Sequence, residues 1–280
     1  MSKTAILYIC TGRYDVFFPD FYQTAEQLFL NNHTKHYFVF TDSTTLTQQY
    51  KEHTNITFIH QNKLGWPYDT LMRYEMFLKS KHLFENFDYI FFLNANYVFK
   101  KPVGDEFLPL NNDEENGLVA VIHPGFYQEY SRYSGSRPYK YTYETNPASL
   151  AYIPECVYIC GGVNGGVASA ALKMFTELAT RIQIDQNNGI IAVWHDESHH
   201  NRYVYELDYK VKLLPPDYAF PEGLGEQPHM SCKMFLRDKR KLQGHNFLRG
   251  LTDTPISQNT TTPKPKLSFI QKLTNIFAKK

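Results

Sequence analysis

Trp194-His195-Asp196-Glu197 sets an aromatic plate, an imidazole and two carboxylates in four consecutive residues. Such a group suits a sugar site. An indole packs on the apolar face of a pyranose, while carboxylates bond its hydroxyls and offset a developing oxocarbenium charge. Two other readings compete. His195 and His199 stand four apart, so on a helix they would share one face as metal ligands, with His200 beside them, although the H-E-x-x-H order is absent. Alternatively, Asp196 and Glu197 open a helix whose dipole favours acidic residues in its first turn. A second group is Cys160-Gly161-Gly162-Val163-Asn164-Gly165-Gly166, with four glycines in seven positions. It reads either as a tight turn or as a place where backbone approaches a ligand closely, because no Cβ intervenes.

The elements that must position these groups are written as short apolar runs. Residues 4–10 form a run closed by Thr11-Gly12, the pattern of a buried strand. Residues 36–41 predict a strand that stops at Asp42, and residues 56–59 predict another. Residues 88–93 predict one ending at Asn94-Ala95-Asn96, and residues 118–122 one ending at His123-Pro124. Helical spacing covers 20–31, through Phe21, Ala25, Leu28 and Leu30. It also covers 69–86, with Leu71, Met72, Met76, Leu83 and Phe84 toward a core, and 171–182. Residues 127–147, dense in Tyr, Ser and Pro, predict a long loop. Strands alternating with helices predict an α/β fold whose mostly parallel sheet is covered on both faces. Ligands of such sheets bind beyond the carboxyl ends of the strands, which singles out Thr11, Asp42, Asn94, Asn96 and His123.

Composition narrows the function. The chain has 280 residues, enough for one or two domains with a full core. Its 29 basic and 28 acidic residues nearly cancel, which argues against bulk electrostatic binding to nucleic acid. No G-x-G-x-x-G follows the first strand and no P-loop is present, so dinucleotide and P-loop readings fall away. The 21 Tyr and 21 Phe suit either a sugar-facing surface or an aromatic core. Four cysteines, Cys10, Cys156, Cys160 and Cys232, are too few for a disulfide framework and point to a reducing compartment. The N-terminal apolar stretch reads as a strand rather than a signal peptide, and no run reaches the ~20 apolar residues of a membrane span. A cytoplasmic location is expected.

Beyond these readings, the chain resembles glycosyltransferase family 6, which includes the histo-blood-group A and B transferases and the α-1,3-galactosyltransferases. The resemblance lies in His123-Pro124-Gly125-Phe126-Tyr127, Tyr141-Thr142-Tyr143-Glu144 and Ala151-Tyr152-Ile153-Pro154. It continues in Gly161-Gly162 with Gly165-Gly166, in Asp185-Gln186 through Gly189, and in Ala192 through His199 with Asn201 and Tyr203. It implies a GT-A fold, a Rossmann-like mostly parallel sheet flanked by helices, over a single catalytic domain at residues 1–250. It also implies transfer of galactose or N-acetylgalactosamine from UDP to the 3-hydroxyl of galactose with retention of the α configuration. The implied partners are a UDP-sugar and a galactose-terminated oligosaccharide or glycolipid.

The resemblance also distributes roles. The backbone near Cys10 and Thr11, together with Tyr14, matches uridine contacts, and Arg73 matches an arginine near the donor sugar and diphosphate. Gly161, Gly162 and Asp196 match donor contacts. Glu197 matches the residue below the anomeric carbon, acting as nucleophile or electrostatic stabiliser and also touching the acceptor. His123, Thr142 and Trp194 match acceptor contacts. Gly125, Cys160 and Gly162 stand where donor specificity is set; the two glycines follow the pattern that leaves room for an N-acetyl group, while Cys160 departs from the usual Leu or Met.

One departure bears on chemistry. Animal members hold Mn²⁺ with Asp-x-Asp, where this chain reads Asn94-Ala95-Asn96, as bacterial-type members do. Neutral amides are weaker ligands for a hard divalent cation than carboxylates. A metal-independent transferase is therefore expected, in which cationic side chains take over charge stabilisation of the leaving group. The run Lys233, Arg237, Lys239, Arg240, Lys241 and Arg249 reads either as a flexible segment that closes over UDP and supplies that charge or as a solvated surface. An inactive carbohydrate-binding relative is the alternative. Residues 251–266 read as a linker. Residues 267–280 read as an amphipathic helix with lysines along an apolar stripe, able to dock on the protein itself or on an anionic membrane at the inner face of the cytoplasmic membrane.

Overall fold

A computed structural model describes residues 1–124, 144–154, 156–224, 231–253 and 255. Seven strands form the main sheet in the order β3-β2-β1-β4-β7-β6-β8. They are β1 (Lys3–Ile9), β2 (Thr34–Thr41), β3 (Ile56–His60), β4 (Tyr89–Leu93), β6 (Leu118–Ile122), β7 (Ile159–Val167) and β8 (Lys212–Leu214). The strands from β3 to β4 run parallel, β7 lies antiparallel to both β4 and β6, and β8 is parallel to β6. The expected α/β architecture is what the chain adopts.

Strand alternation explains the two covered faces. In β1, Ile6 and Tyr8 pack with Phe17, Phe18 and Phe21 of the first helical segment, whereas Ala5 and Leu7 pack with Leu71, Phe77 and Phe175 on the other side. The first face carries α1 (Phe18–Leu28), with Pro19 in its first turn, where a missing N–H costs nothing, and the short α2 (Thr44–Gln49), which buries Leu46. The second carries α4 (Arg73–Lys79), α5 (Ala168–Asn187) and α6 (Asp196–Glu206).

Several boundaries differ from the sequence reading. The helix expected at 20–31 starts and ends earlier; beyond it Leu30 takes a left-handed φ of 46°. The helix expected at 69–86 is broken into α3 (Tyr68–Leu71), α4 and a 3-10 turn at Lys81–Leu83. The breaks at Met72 and Ser80 undo the single apolar stripe, so Leu83 is exposed rather than core. The glycine run Cys160–Gly166 is not a turn. It lies within β7 and makes room for neighbouring backbone: a Cβ on Gly165 would stand 2.1 Å from the Ile90 carbonyl oxygen.

Two features direct attention to one edge. The strand order reverses at β1, between β2 and β4, so the carboxyl ends of β1 and β4 diverge around a crevice. A small second sheet, β5 (Tyr97–Phe99), β10 (Met234–Leu236) and β9 (Phe220–Pro221), pairs Leu236 with Tyr97 and so brings the chain after 236 over that crevice. Residues 125–143, which hold Gly125, Thr142 and most of the expected long loop, lie outside the described residues. So do residues 225–230 and nearly all of the expected linker and tail at 251–280. Among the described residues no helix is long and apolar enough to cross a membrane.

Candidate active site

The crevice is lined from several directions, three of them at the sheet and the helix beside it. The carboxyl ends of β1 and β4 contribute Thr11, Tyr14, Asn94, Ala95 and Asn96; β7 contributes Cys160, Gly161 and Gly162; the start of α6 contributes Trp194, His195, Asp196 and Glu197.

The junction of β7 and α6 is tightly built. His195 precedes α6 with a left-handed φ of 53°, which turns Asp196 and Glu197 into the helix's first turn and toward the cleft. Glu197 Oε2 accepts the Gly161 N–H at 2.7 Å and Oε1 accepts the Tyr158 hydroxyl at 2.6 Å. A Cβ on Gly161 would lie 2.9 Å from that of Glu197, so the helix start sits this close to the strand only because residue 161 has no side chain. One turn on, Asn201 closes the joint. Its amide accepts from the Ile159 N–H at 2.9 Å and donates to the Ile159 carbonyl at 2.8 Å.

Asp196 and Arg73 form a buried ion pair, N–O 2.8 Å, with side chains 5 % and 6 % exposed. The same guanidinium donates to the Gly161 carbonyl at 2.9 Å and lies 4.0 Å above the Phe92 ring. Asp196 is thus fixed beside the strand that also fixes Glu197, which gives two carboxylates with separate environments. His123 is buried edge-on against Tyr158, ring centroids 5.3 Å apart.

The opposite wall is polar but not acidic. Asn94 Nδ2 donates to Asn96 Oδ1 at 3.1 Å, and Asn96 Nδ2 donates to the Arg237 carbonyl at 2.8 Å. The Arg237 N–H returns a bond to the Asn96 carbonyl at 2.8 Å. A carboxylate at 96 would face the Arg237 carbonyl with no hydrogen to share. This pair does not fit a divalent cation: its donor set is neutral, and Asn96 is committed to the backbone of Arg237. Among the described residues no group of three His, Cys, Asp or Glu side chains could hold a metal ion. Basic side chains line the same cleft. Arg237, Lys239, Arg240 and Arg249 line the cleft; Arg240 forks onto Asp238 with two bonds of 2.9 Å, and Lys239 lies 5.2 Å from the Tyr14 ring. Lys233 and Lys241 are not among the lining residues; Lys233 pairs with Glu106.

Most of the residues singled out from sequence therefore meet in one cleft: Thr11, Tyr14, Arg73, Asn94, Ala95, Asn96, His123, Cys160, Gly161, Gly162, Trp194, Asp196 and Glu197. Cys10 has only its backbone to offer the expected uridine contact. Its side chain turns into the core, where burial pushes the thiol up, and it does not line the cleft. Asp42 also stays outside, accepting the Gly12 N–H at 2.7 Å. Trp66, Asp69 and Tyr158 were not singled out, because no spacing in the sequence ties them to the Trp194–Glu197 group.

The metal reading of the histidines fails for a geometric reason. His195 lies outside the helix, so it shares no face with His199, which is buried 3.6 Å from Asp185. Burial depresses both His199 and His200 to about 4, against weaker upward pulls from Asp185 and Glu197 respectively. The unfolded chain protonates these rings near 6.5, so between about 6.5 and 4 it binds protons that the folded chain does not. Stability is expected to fall as pH drops through that window. Urea midpoints measured from pH 7 to 4.5 check this: His200→Gln should show a shallower decline than wild type, and an equal slope would reject the assignment.

Comparison with known proteins agrees with the geometry. Residues 4–249 match glycosyltransferase family 6. The chain is 34 % identical over 237 residues to the O-antigen biosynthesis glycosyltransferase WbnI of Escherichia coli, covering 84 % of this chain and 94 % of that protein. It is 33 % identical to the histo-blood group ABO system transferase 1 of Rattus norvegicus, over 79 % of this chain and 62 % of the rat protein. It is 27 % identical to the human globoside alpha-1,3-N-acetylgalactosaminyltransferase 1, over 80 % of this chain and 62 % of the human protein. With the sheet order, the cleft at its reversal point and this match over nearly its whole length, the chain belongs to glycosyltransferase family 6.

Proposed function

We propose that the protein is a retaining α-1,3-N-acetylgalactosaminyltransferase. It moves N-acetylgalactosamine from UDP-GalNAc to the 3-hydroxyl of an α-1,2-fucosylated galactose, without a divalent metal. The observation that carries this reading is the Glu197 carboxylate, held by the Gly161 N–H and the Tyr158 hydroxyl beside the buried Asp196–Arg73 pair.

In this mechanism Asp196 bonds donor-sugar hydroxyls, and Glu197 faces the anomeric carbon. The bond from that carbon to the β-phosphate oxygen breaks, and UDP leaves with the electron pair. The acceptor 3-oxygen bonds the same face, and its proton passes to the departing phosphate. Glu197 offsets the oxocarbenium charge, while the cations after residue 236 stabilise the charge growing on the diphosphate. Space supports the donor. Gly162 lines the cleft without a side chain, which supports a donor that carries an N-acetyl group. The O-antigen biosynthesis for which the E. coli relative is named supports an O-antigen-type glycan as acceptor. The basic amphipathic sequence at 267–280 supports work at the inner face of the cytoplasmic membrane.

The test is UDP release with 2′-fucosyllactose and each UDP-sugar, with and without EDTA. Turnover is expected to be faster with UDP-GalNAc than with UDP-galactose, and unchanged by EDTA. Faster turnover with UDP-galactose would make the protein an α-1,3-galactosyltransferase. Activity lost in EDTA and restored by Mn²⁺ would reject metal independence, and no UDP under any condition would leave a carbohydrate-binding protein.

A further inference from the structure

We infer that Lys63 is a positioning residue for the donor site, a bolt that holds the C-terminal cationic segment against the loops around the nucleotide. The inference rests on the UDP-sugar reading above. Lys63 sits in the loop between β3 and α3 and does not itself line the cleft. Its stem crosses Gly12, where a Cβ would stand 3.0 Å from Lys63 Cδ. Its ammonium donates to the Arg249 carbonyl and lies 3.0 Å from where a Gly250 Cβ would be. Both glycines take positive φ, +60° and +71°, a region that favours glycine. One lysine thus threads between two side-chain-free residues near opposite ends of the described chain.

Further contacts anchor the bolt. Asp42, at the carboxyl end of β2, accepts the Gly12 N–H at 2.7 Å through Oδ1 and the Lys63 N–H at 3.4 Å through Oδ2, so both loops share one post. Arg13 makes a parallel link, donating to the Phe247 carbonyl at 3.0 Å and the Thr252 carbonyl at 2.6 Å, with its guanidinium 4.0 Å from the Phe247 ring. The held segment packs on the core through Leu248, with Leu242 beside it, and is otherwise short. The helices α7 (Lys239–Leu242) and α8 (His245–Leu248) are four residues each, far below the length at which a helix stands alone.

What the bolt positions is charge. Arg249, whose carbonyl it grips, lays its guanidinium 4.0 Å over the Trp66 ring and lines the cleft with Lys239 and Tyr14. Uridine contacts are expected from Thr11 and Tyr14, in a loop that Asp42 holds through the Gly12 N–H without the lysine ammonium. The cations are the groups proposed above to meet the diphosphate. Losing the bolt should therefore weaken a ligand with a diphosphate and spare one without it.

The experiment is calorimetric titration of the full chain with UDP and with uridine, for wild type, Lys63→Met and Gly250→Ala. Methionine keeps the stem and drops the ammonium; alanine at 250 crowds the ammonium from the other side. Both variants are expected to bind UDP about tenfold more weakly or worse, the scale of one charged hydrogen bond, and uridine within about twofold of wild type. UDP affinity unchanged in Lys63→Met would overturn the inference. So would equal losses for UDP and uridine, which would make Lys63 a mere loop support. Wild type that binds neither ligand would remove the UDP-sugar reading itself, a result distinct from either.

Discussion

Glu197→Gln is expected to lower kcat by about 10²–10³, the usual loss for one preorganised electrostatic group, while UDP still binds. The two environments of the carboxylate make this substitution informative. Glu197 Oε2 is set by a backbone N–H and Oε1 by the Tyr158 hydroxyl. A glutamine keeps one carbonyl oxygen for Gly161, and its amide N–H₂ meets a phenol that can turn to accept. The helix start therefore stays in place, and what vanishes is the negative charge proposed to face the anomeric carbon. Tyr158→Phe makes a milder companion, since the ring keeps its edge contact with His123. Single-turnover kcat and the UDP dissociation constant, measured on the folded variant, decide the matter. A Glu197→Gln enzyme with near-wild-type kcat would take Glu197 out of the mechanism.

How far this site was legible in the sequence depends on chain distance. Trp194, Asp196 and Glu197 stand together in the chain, so their chemistry could be read directly. The strand ends at Thr11, Asn94 and His123 were found because apolar runs stop there, and a parallel sheet gathers its carboxyl ends. Tyr158 could not be found this way. It is one of 21 tyrosines, and only the folding of β7 against α6 sets its hydroxyl on Glu197. Lys63 was equally silent: its partners, Gly12 and Arg249, become neighbours only when the chain's two ends close over one crevice. The glycine run misled in a physical way. Glycine signals close approach without saying of what; at 165 it is backbone of the next strand, and at 161 it is the Glu197 side chain. The break at Met72 was hidden because Leu71 and Met72 continue a helical stripe that the backbone does not.

Arg73→Met is expected to cost about 3–5 kcal/mol of unfolding free energy, because it leaves the buried Asp196 carboxylate without its guanidinium. It also removes a bond to the Gly161 carbonyl and a cation stacked on Phe92, so the strand beneath Glu197 loses support as well. Lysine is a poor substitute. A single ammonium cannot reproduce the planar fork that reaches Asp196 and Gly161 while lying flat on a ring. The stabilising role and the proposed donor-binding role separate in the double variant Arg73→Met/Asp196→Asn. There no uncompensated buried charge remains, and most of the lost stability should return, whereas turnover should not, since the carboxylate proposed to bond the donor sugar is gone. Urea denaturation and UDP-release rates on the two single variants and the double give both readouts. Arg73→Met with wild-type stability would show that the pair contributes nothing to the fold. A double variant with wild-type turnover would show that Asp196 serves only as the counter-ion of Arg73, and the donor-sugar contact would then have to be sought elsewhere in the cleft.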